Sequence, residues 1–293
     1  MLVNLNGVFE RAKKEGTAIG AFNVSSWEAA QAIIGAAEKM KRPVIMNYAP
    51  VHESFLTMED AALIMLYHAR KATVPVCVHL DHGSSFEQCM KAIRLGFTSV
   101  MIDASSLRYE ENVAVTRLVV RAAHAVQVTV EAELGHIFTS QTGSHQEGSG
   151  IESAESFADL NDIYTSPNMA KDFVDATNVD ALAIAFGTSH GIYVKEPVLD
   201  LERISAIRKV IDTPLVMHGG SGLSREEFQT AIKNGIRKIN YYTYMALAGG
   251  EGLRKFFEDN GEEKHIFFHD IPQIAISAME ENLVNAQKIF SLE

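Results

Sequence analysis

The feature that most constrains this chain is a recurring pattern. Eight short runs rich in apolar and β-branched residues alternate with amphipathic stretches. The runs are Thr17–Val24, Pro43–Tyr48, Pro75–Leu80, Thr98–Asp103, Gln127–Glu133, Asp180–Gly187, Thr213–His218 and Gly235–Asn240. Several are apolar almost throughout, which suits parallel strands covered on both faces. Helical patterns lie between them at Trp27–Met40, Thr57–Lys71, Phe86–Leu95, Glu110–Ala125, Ser166–Thr177, Leu199–Val210 and Arg225–Lys233. Thr57-Met-Glu-Asp and Ser224-Arg-Glu-Glu read as N-caps with acidic first turns. Alternation repeated eight times predicts an α/β chain closed into a parallel (β/α)8, or TIM, barrel. The length of 293 residues agrees, since such barrels take about 250 plus insertions. A doubly wound open sheet is the rival fold. It wants a glycine-rich turn after its first strand, and AFNVSSW at that place offers none.

The whole chain, residues 1–293, reads as one domain, with helix-like segments from Gly249 onward forming a C-terminal extension. Gly135–Tyr164 is a connection of roughly thirty residues rich in Ser, Gly, Gln and Glu, and its length reads as a lid, a binding loop or a disordered segment. No apolar run reaches the roughly 18–20 residues of a membrane span. MLVNLNGVFERAKKEG carries charges where a signal peptide has its apolar stretch, so a cytoplasmic location without membrane association is expected. Cys77 and Cys89 form neither a disulfide framework nor a paired-cysteine metal motif. The net charge of −11, from 26 basic and 37 acidic residues, argues against nucleic acid as a partner. A phosphate ligand must then be held locally, by backbone N–H groups or a few placed cations.

Three of the eleven histidines share a setting. His82 follows VHLD, His190 follows AIAFGTS and His218 follows PLVM, each at the C-terminal end of a strand. Barrel active sites are built on that face. Three neutral imidazoles converging there would hold Zn²⁺ and leave a fourth position open. His52, His68, His124, His265 and His269 read as helix or surface residues, His79 as interior, and His136 and His145 as loop residues. Asp81 abuts a proposed ligand, which makes an acid/base role competitive with capping. Asp103, Glu131 and Glu133 also end strands. Asp103 and Glu133 are placed to bind a second cation or to orient a histidine. Gly219-Gly220-Ser221-Gly222 and Asn240-Tyr241-Tyr242-Thr243 follow the seventh and eighth strands, the usual phosphate site of such a barrel.

These segments resemble a known family. LDHG at Leu80–Gly83, MID at Met101–Asp103, VEAELG at Val130–Gly135, AFGTSHG at Ala185–Gly191 and MHGGSGL at Met217–Leu223 are similar to the motifs of class II ketose-bisphosphate aldolases, fructose- and tagatose-bisphosphate aldolases among them. The similarity runs from Ala21-Phe-Asn23 to about Thr243. It implies zinc on His82, His190 and His218, with Asp103 and Glu133 near an alternative metal position. It implies proton transfer by Asp81 at the aldehyde oxygen and a loop glutamate, for which Glu147 is the candidate. Asn23, Gly191, Gly219, Ser221, Asn240 and Thr243 would bind dihydroxyacetone phosphate. A monovalent cation, Na⁺ or K⁺, would sit near Gly191 and Ser221. The assembly would be a homodimer or homotetramer acting on a small sugar phosphate. No Schiff-base lysine is needed, and Lys238 reads as structural.

Three departures bear on the distal half of the substrate. Asn47-Tyr48-Ala49 stands where the family often has a serine, Tyr241 and Tyr242 stand where smaller residues are usual, and the loop after Glu133 is longer. Two bulky rings beside the bound chain favour a ketose 1-phosphate with an uncharged or carboxylated tail over a bisphosphate. A basic residue from a neighbouring subunit, with Arg254 as candidate, would restore a second phosphate site. Two other functions compete. A zinc hydrolase on the same barrel would want a His-x-His pair at the first strand, which AFNV lacks. A non-catalytic sugar-phosphate-binding homologue would not need Asp81.

Overall fold

The computed structural model describes residues 1–135, 137–139, 163–191, 197–260 and 265–293. All eight expected strands are present: β1 (Ile19–Asn23), β2 (Val44–Tyr48), β3 (Val76–Gly83), β4 (Ser99–Ile102), β5 (Thr129–Leu134), β6 (Ala181–Ile184), β7 (Leu215–Met217) and β8 (Ile236–Tyr241). Each pairs in parallel with the next, and β8 pairs back to β1 through Lys238↔Ile19 and Asn240↔Ala21. The ring is closed: a TIM barrel with no free sheet edge.

Period-two alternation sorts each strand's side chains. Val76, Val78 and Leu80 of β3, with Val130 and Ala132 of β5, point outward into the helix layer. That layer comprises α2 (Trp27–Met40), α3 (Met58–Lys71), α4 (Phe86–Leu95), α5 (Tyr109–His124), α6 (Pro167–Thr177), α7 (Leu201–Arg208) and α8 (Arg225–Asn234). Ser26, Thr57, Ser85, Ser166, Asp200 and Ser224 cap six of these helices through their side chains. Each such cap satisfies an N–H left open by the first helical turn.

The barrel interior is divided by polarity. Its lower part is apolar: Ile19, Ala21, Ile45, Cys77, Ala181, Ala183 and Val216 form one cluster with Leu5, Val8, Phe9 and Ala12. The last four belong to α1 (Leu5–Glu15), a helix that plugs the base. Its charged stretch gave no barrel signal, yet Asn4 caps its start and Gly16, at φ +68°, ends it. The upper part is polar and buried, containing Asn47, His79, Asp81, Ser99, Glu131, Glu133, His218 and Lys238. After β8 the chain forms α9 (Thr243–Asn260) and α10 (Asp270–Phe290), and α10 returns against α2. Among the described residues no helix is long and apolar enough to cross a membrane.

Candidate active site

The site begins with an irregularity in β3. Alternation turns Cys77, His79 and Asp81 inward, and would turn His82 out. Instead His82 adopts a left-handed conformation, φ +49°, uncommon for a residue with a side chain. The pairing with β4 shifts at this point: Leu80 faces Val100, but Gly83 faces Ile102. The extra residue is a bulge, and it turns Asp81 and His82 to the barrel mouth together. Gly83 permits the close approach this needs, since a Cβ there would lie 2.5 Å from the Met101 carbonyl oxygen.

His218 directly follows β7. Gly219 after it has φ +65°, and a Cβ on it would lie 2.5 Å from the Ser189 carbonyl oxygen. The turn therefore lies hard against Ser189–His190, a two-residue strand paired with Phe138–Thr139. The three rings converge. Centroids are 4.6 Å apart for His82 and His218, 5.1 Å for His82 and His190, and 5.8 Å for His190 and His218. One nitrogen from each lies within 4.8 Å of the others.

Two of these rings are oriented by carboxylates. His82 Nδ1 is 2.8 Å from Asp103 Oδ2, and His218 Nε2 is 2.8 Å from Glu131 Oε1. A ligating imidazole usually donates its far N–H in this way. The remaining nitrogens, His82 Nε2 and His218 Nδ1, face each other at 2.9 Å. A shared proton accounts for that distance without metal, and Asn240 Nδ2 also lies 3.3 Å from His218 Nδ1. With the proton gone, imidazole nitrogens converging on one point are a donor set that fits a metal ion. The surrounding charge agrees. Burial opposes protonation of His82, but Asp81 and then Asp103 outweigh it and push its pKa up to about 10. Burial likewise opposes ionisation of Asp81, yet positive charge led by His82 holds its pKa below the ordinary value.

A second donor group overlaps the first: His82, Asp103 and Glu133 also bring one atom each within 4.8 Å. Burial, and then the charge of Asp103, raises the Glu133 pKa well above the carboxylate range. Asp103 is pulled the other way, because the His82 hydrogen bond and charge overcome its burial.

Asn240 Nδ2 donates to Asp81 Oδ1 at 2.9 Å. Asn23, Asp81, His190, Gly191, Gly219, Ser221, Asn240 and Thr243 line one cavity. The N-terminus of α9 begins at Thr243, so its backbone donors and positive dipole end lie at this wall. Ser221 Oγ accepts from the Tyr242 N–H at 3.3 Å.

Other expectations separate. The Tyr241 ring turns away from the mouth, packing 6.2 Å from Phe22 and 6.1 Å from Phe290. Parity explains this, since Asn240 points inward. Only Tyr242 stays at the rim, 4.9 Å from the His52 ring. His52 ends a short 3-10 turn and His68 lies on α3, so both are helix residues as expected, and both are buried. Tyr48 points outward, donating to Glu53 with the Leu56 carbonyl 3.2 Å from the same hydroxyl, while Asn47 points inward toward Asn23 at 3.5 Å. Arg254 pairs with Glu251 and Glu258 of its own helix. Glu147, His136 and His145 lie outside the described residues, as does most of Gly135–Tyr164. Sequence reasoning gave Glu131 no firm role, although it lies two positions from Glu133 and so on the same face.

A family model described as fructose-bisphosphate aldolase class-II matches residues 3–292. The chain is 40% identical to a fructose-bisphosphate aldolase of Thermus caldophilus, with 90% of each chain covered. It is 39% identical to a sulfofructosephosphate aldolase of Alkalicoccus urumqiensis, over 88% of this chain and 86% of that one. Among solved structures, the YdjI aldolase from Escherichia coli K12 superimposes with a TM-score of 0.84 at 33% identity, covering 99% of this chain and 97% of the other.

Proposed function

The chain belongs to the class-II fructose-bisphosphate aldolase family, and from that premise we propose a zinc-dependent aldolase that reversibly cleaves a ketose 1-phosphate or ketose bisphosphate to dihydroxyacetone phosphate and an aldehyde. The observation that carries this reading is Asp81 beside three convergent imidazoles, facing a cavity that ends at a helix N-terminus. The family is one of metal-dependent carbon–carbon lyases. His82, His190 and His218 would hold the ion, with Asp103 and Glu133 near a second position. Bound zinc supplies a Lewis acid that polarises the substrate's ketone and offsets developing negative charge.

The chain's own groups do the rest. Asp81 takes the proton of the hydroxyl that becomes the aldehyde, as the adjacent carbon–carbon bond breaks and its electrons pass toward the ketone. In synthesis it returns that proton. Asn240 holds the Asp81 carboxylate in place through its amide. Glu147 is the proposed acid toward the three-carbon fragment. Backbone N–H groups around Gly191, Gly219 and Ser221, with Thr243 at the start of α9, bind the phosphate, and Asn23 and Asn240 bind the rest of that half. A monovalent cation near Gly191 and Ser221, and a homodimer or homotetramer, belong to the same proposal. Lys238 is fully buried in an ion pair with Glu131 and offers no amine for a Schiff base.

Two relatives of nearly equal identity carry different substrate names, so overall similarity does not choose the distal group. A second phosphate dianion would want a Lys or Arg partner, and the candidate Arg254 is paired with Glu251 and Glu258 of its own helix. We therefore favour a ketose 1-phosphate with an uncharged or carboxylated tail, although the outward Tyr241 removes one ground for it. A screen of ketose 1-phosphates and 1,6-bisphosphates, with dihydroxyacetone phosphate detected, tests both levels. Full activity after exhaustive chelation, or a borohydride-trapped lysine adduct, would overturn the metal mechanism. A bisphosphate outperforming every monophosphate in kcat/KM would overturn the distal assignment alone.

A further inference from the structure

Below the imidazoles lies a group of charged residues that the proposed chemistry does not use. Glu131, on the inner face of β5, is fully buried. Its two oxygens have separate tasks. Oε1 meets His218 Nε2 at 2.8 Å, and Oε2 meets Lys238 Nζ at 2.7 Å. His79 Nε2 approaches Oε2 only to 3.6 Å. Its ring is engaged elsewhere, with Nδ1 2.8 Å from Ser99 Oγ, which in turn lies 3.2 Å from the Thr129 carbonyl. At 3.6 Å His79 Nε2 makes no hydrogen bond to Glu131. Lys238, also fully buried, is the cation that balances this carboxylate.

We infer that Glu131 and Lys238 are positioning residues for the metal: Lys238 fixes the Glu131 carboxylate, and Glu131 holds His218 so that Nδ1, not Nε2, is presented to the ion. The site then uses opposite nitrogens of two ligands. His82 is held at Nδ1 by Asp103 and presents Nε2. His218 is held at Nε2 and presents Nδ1. The inversion follows from where each ring is approached. Asp103 reaches His82 from the end of the neighbouring strand at the mouth. Glu131 reaches His218 from inside the barrel, one layer lower. An uncharged acceptor in place of Glu131 would still take a hydrogen bond, but would leave His218 a weaker donor.

This inference rests on the metal reading above, and its test separates the two. Wild-type protein with heavy-nitrogen-labelled histidines is loaded with an NMR-active cadmium isotope. Coupling from cadmium to His218 Nδ1 and to His82 Nε2 is expected. Coupling to His218 Nε2 overturns the inference and leaves the metal site standing. No cadmium at any of the three histidines removes both. In parallel, metal affinity is measured by chelator competition, and thermal stability without metal is recorded, for Glu131→Gln, Lys238→Met and the double variant. Each single change leaves one buried charge unbalanced and should lower both quantities, the affinity by about 10- to 100-fold, the usual scale for partners of a ligand. The double variant removes both charges and should recover stability while its affinity stays low. Wild-type affinity in the double variant would mean that the pair serves the fold alone, and would overturn the inference.

Discussion

Asp81 and His82 are adjacent in sequence and reach the barrel mouth together, a carboxylate beside an imidazole. Asp81 is buried, held by Asn240, and faces the cavity. Asp81→Asn should therefore keep its metal while turnover falls about 100-fold or more, the scale of a positioned proton transfer. Metal analysis together with a turnover assay reads this, and near-normal turnover in a metal-loaded variant would exclude the role. The three histidines were legible in sequence because strand ends in a barrel share one face. Their ring orientations were not legible. They depend on pairs such as His82–Asp103 and Glu131–His218, which lie far apart along the chain. Tyr241 was readable by parity with Asn240 and was misassigned because its proximity in sequence outweighed its direction.

The bulge in β3 is the element on which the site turns. It places a left-handed residue in a strand, and such strain persists only where the surrounding structure enforces it. Gly83→Ala would put a Cβ 2.5 Å from the Met101 carbonyl. Overpacking of this kind costs about 1–3 kcal/mol. Urea unfolding should show that loss, and bound metal should fall because His82 is displaced. A wild-type unfolding midpoint with full metal content would contradict the prediction. α1 gives the opposite case. Phe9 is fully buried in the plug, so Phe9→Ala should cost about 3–5 kcal/mol of stability. Its effect on turnover per folded molecule should be small, since the plug closes the far end of the barrel. A loss of kcat without loss of stability would refute that division. The barrel strands and their helices were legible from period and caps. α1 was not, because its value lies in burial against four barrel strands, one of them more than 200 residues away in sequence, which no local pattern records.

At the scale of the molecule, a chain of net charge −11 concentrates Asp81, Asp103, Glu131 and Glu133 around one point. Stripping the metal should lower the thermal midpoint, since an ion present at about 100 times its Kd adds about 2.7 kcal/mol to the folded state. A calorimetric scan with and without chelator measures this, and an unchanged midpoint would argue against a resident ion. Affinity should also weaken steadily as pH falls. Ligating imidazoles must be unprotonated, and metal-free His82 carries its proton up to about pH 10. Binding therefore releases protons at neutral pH, which titration calorimetry in buffers of different ionisation enthalpy detects; a buffer-independent heat would contradict it. The seam of the ring has a consequence for assembly in time. Lys238, which balances Glu131, and Asn240, which holds Asp81, both sit on β8, the strand that closes the ring against β1. A nascent or refolding chain that has laid down seven strands thus has its three histidines but neither of these partners. Secure metal capture should lag the growth of helical signal and coincide with docking of the final strand, so that uptake of the ion times the completion of the fold.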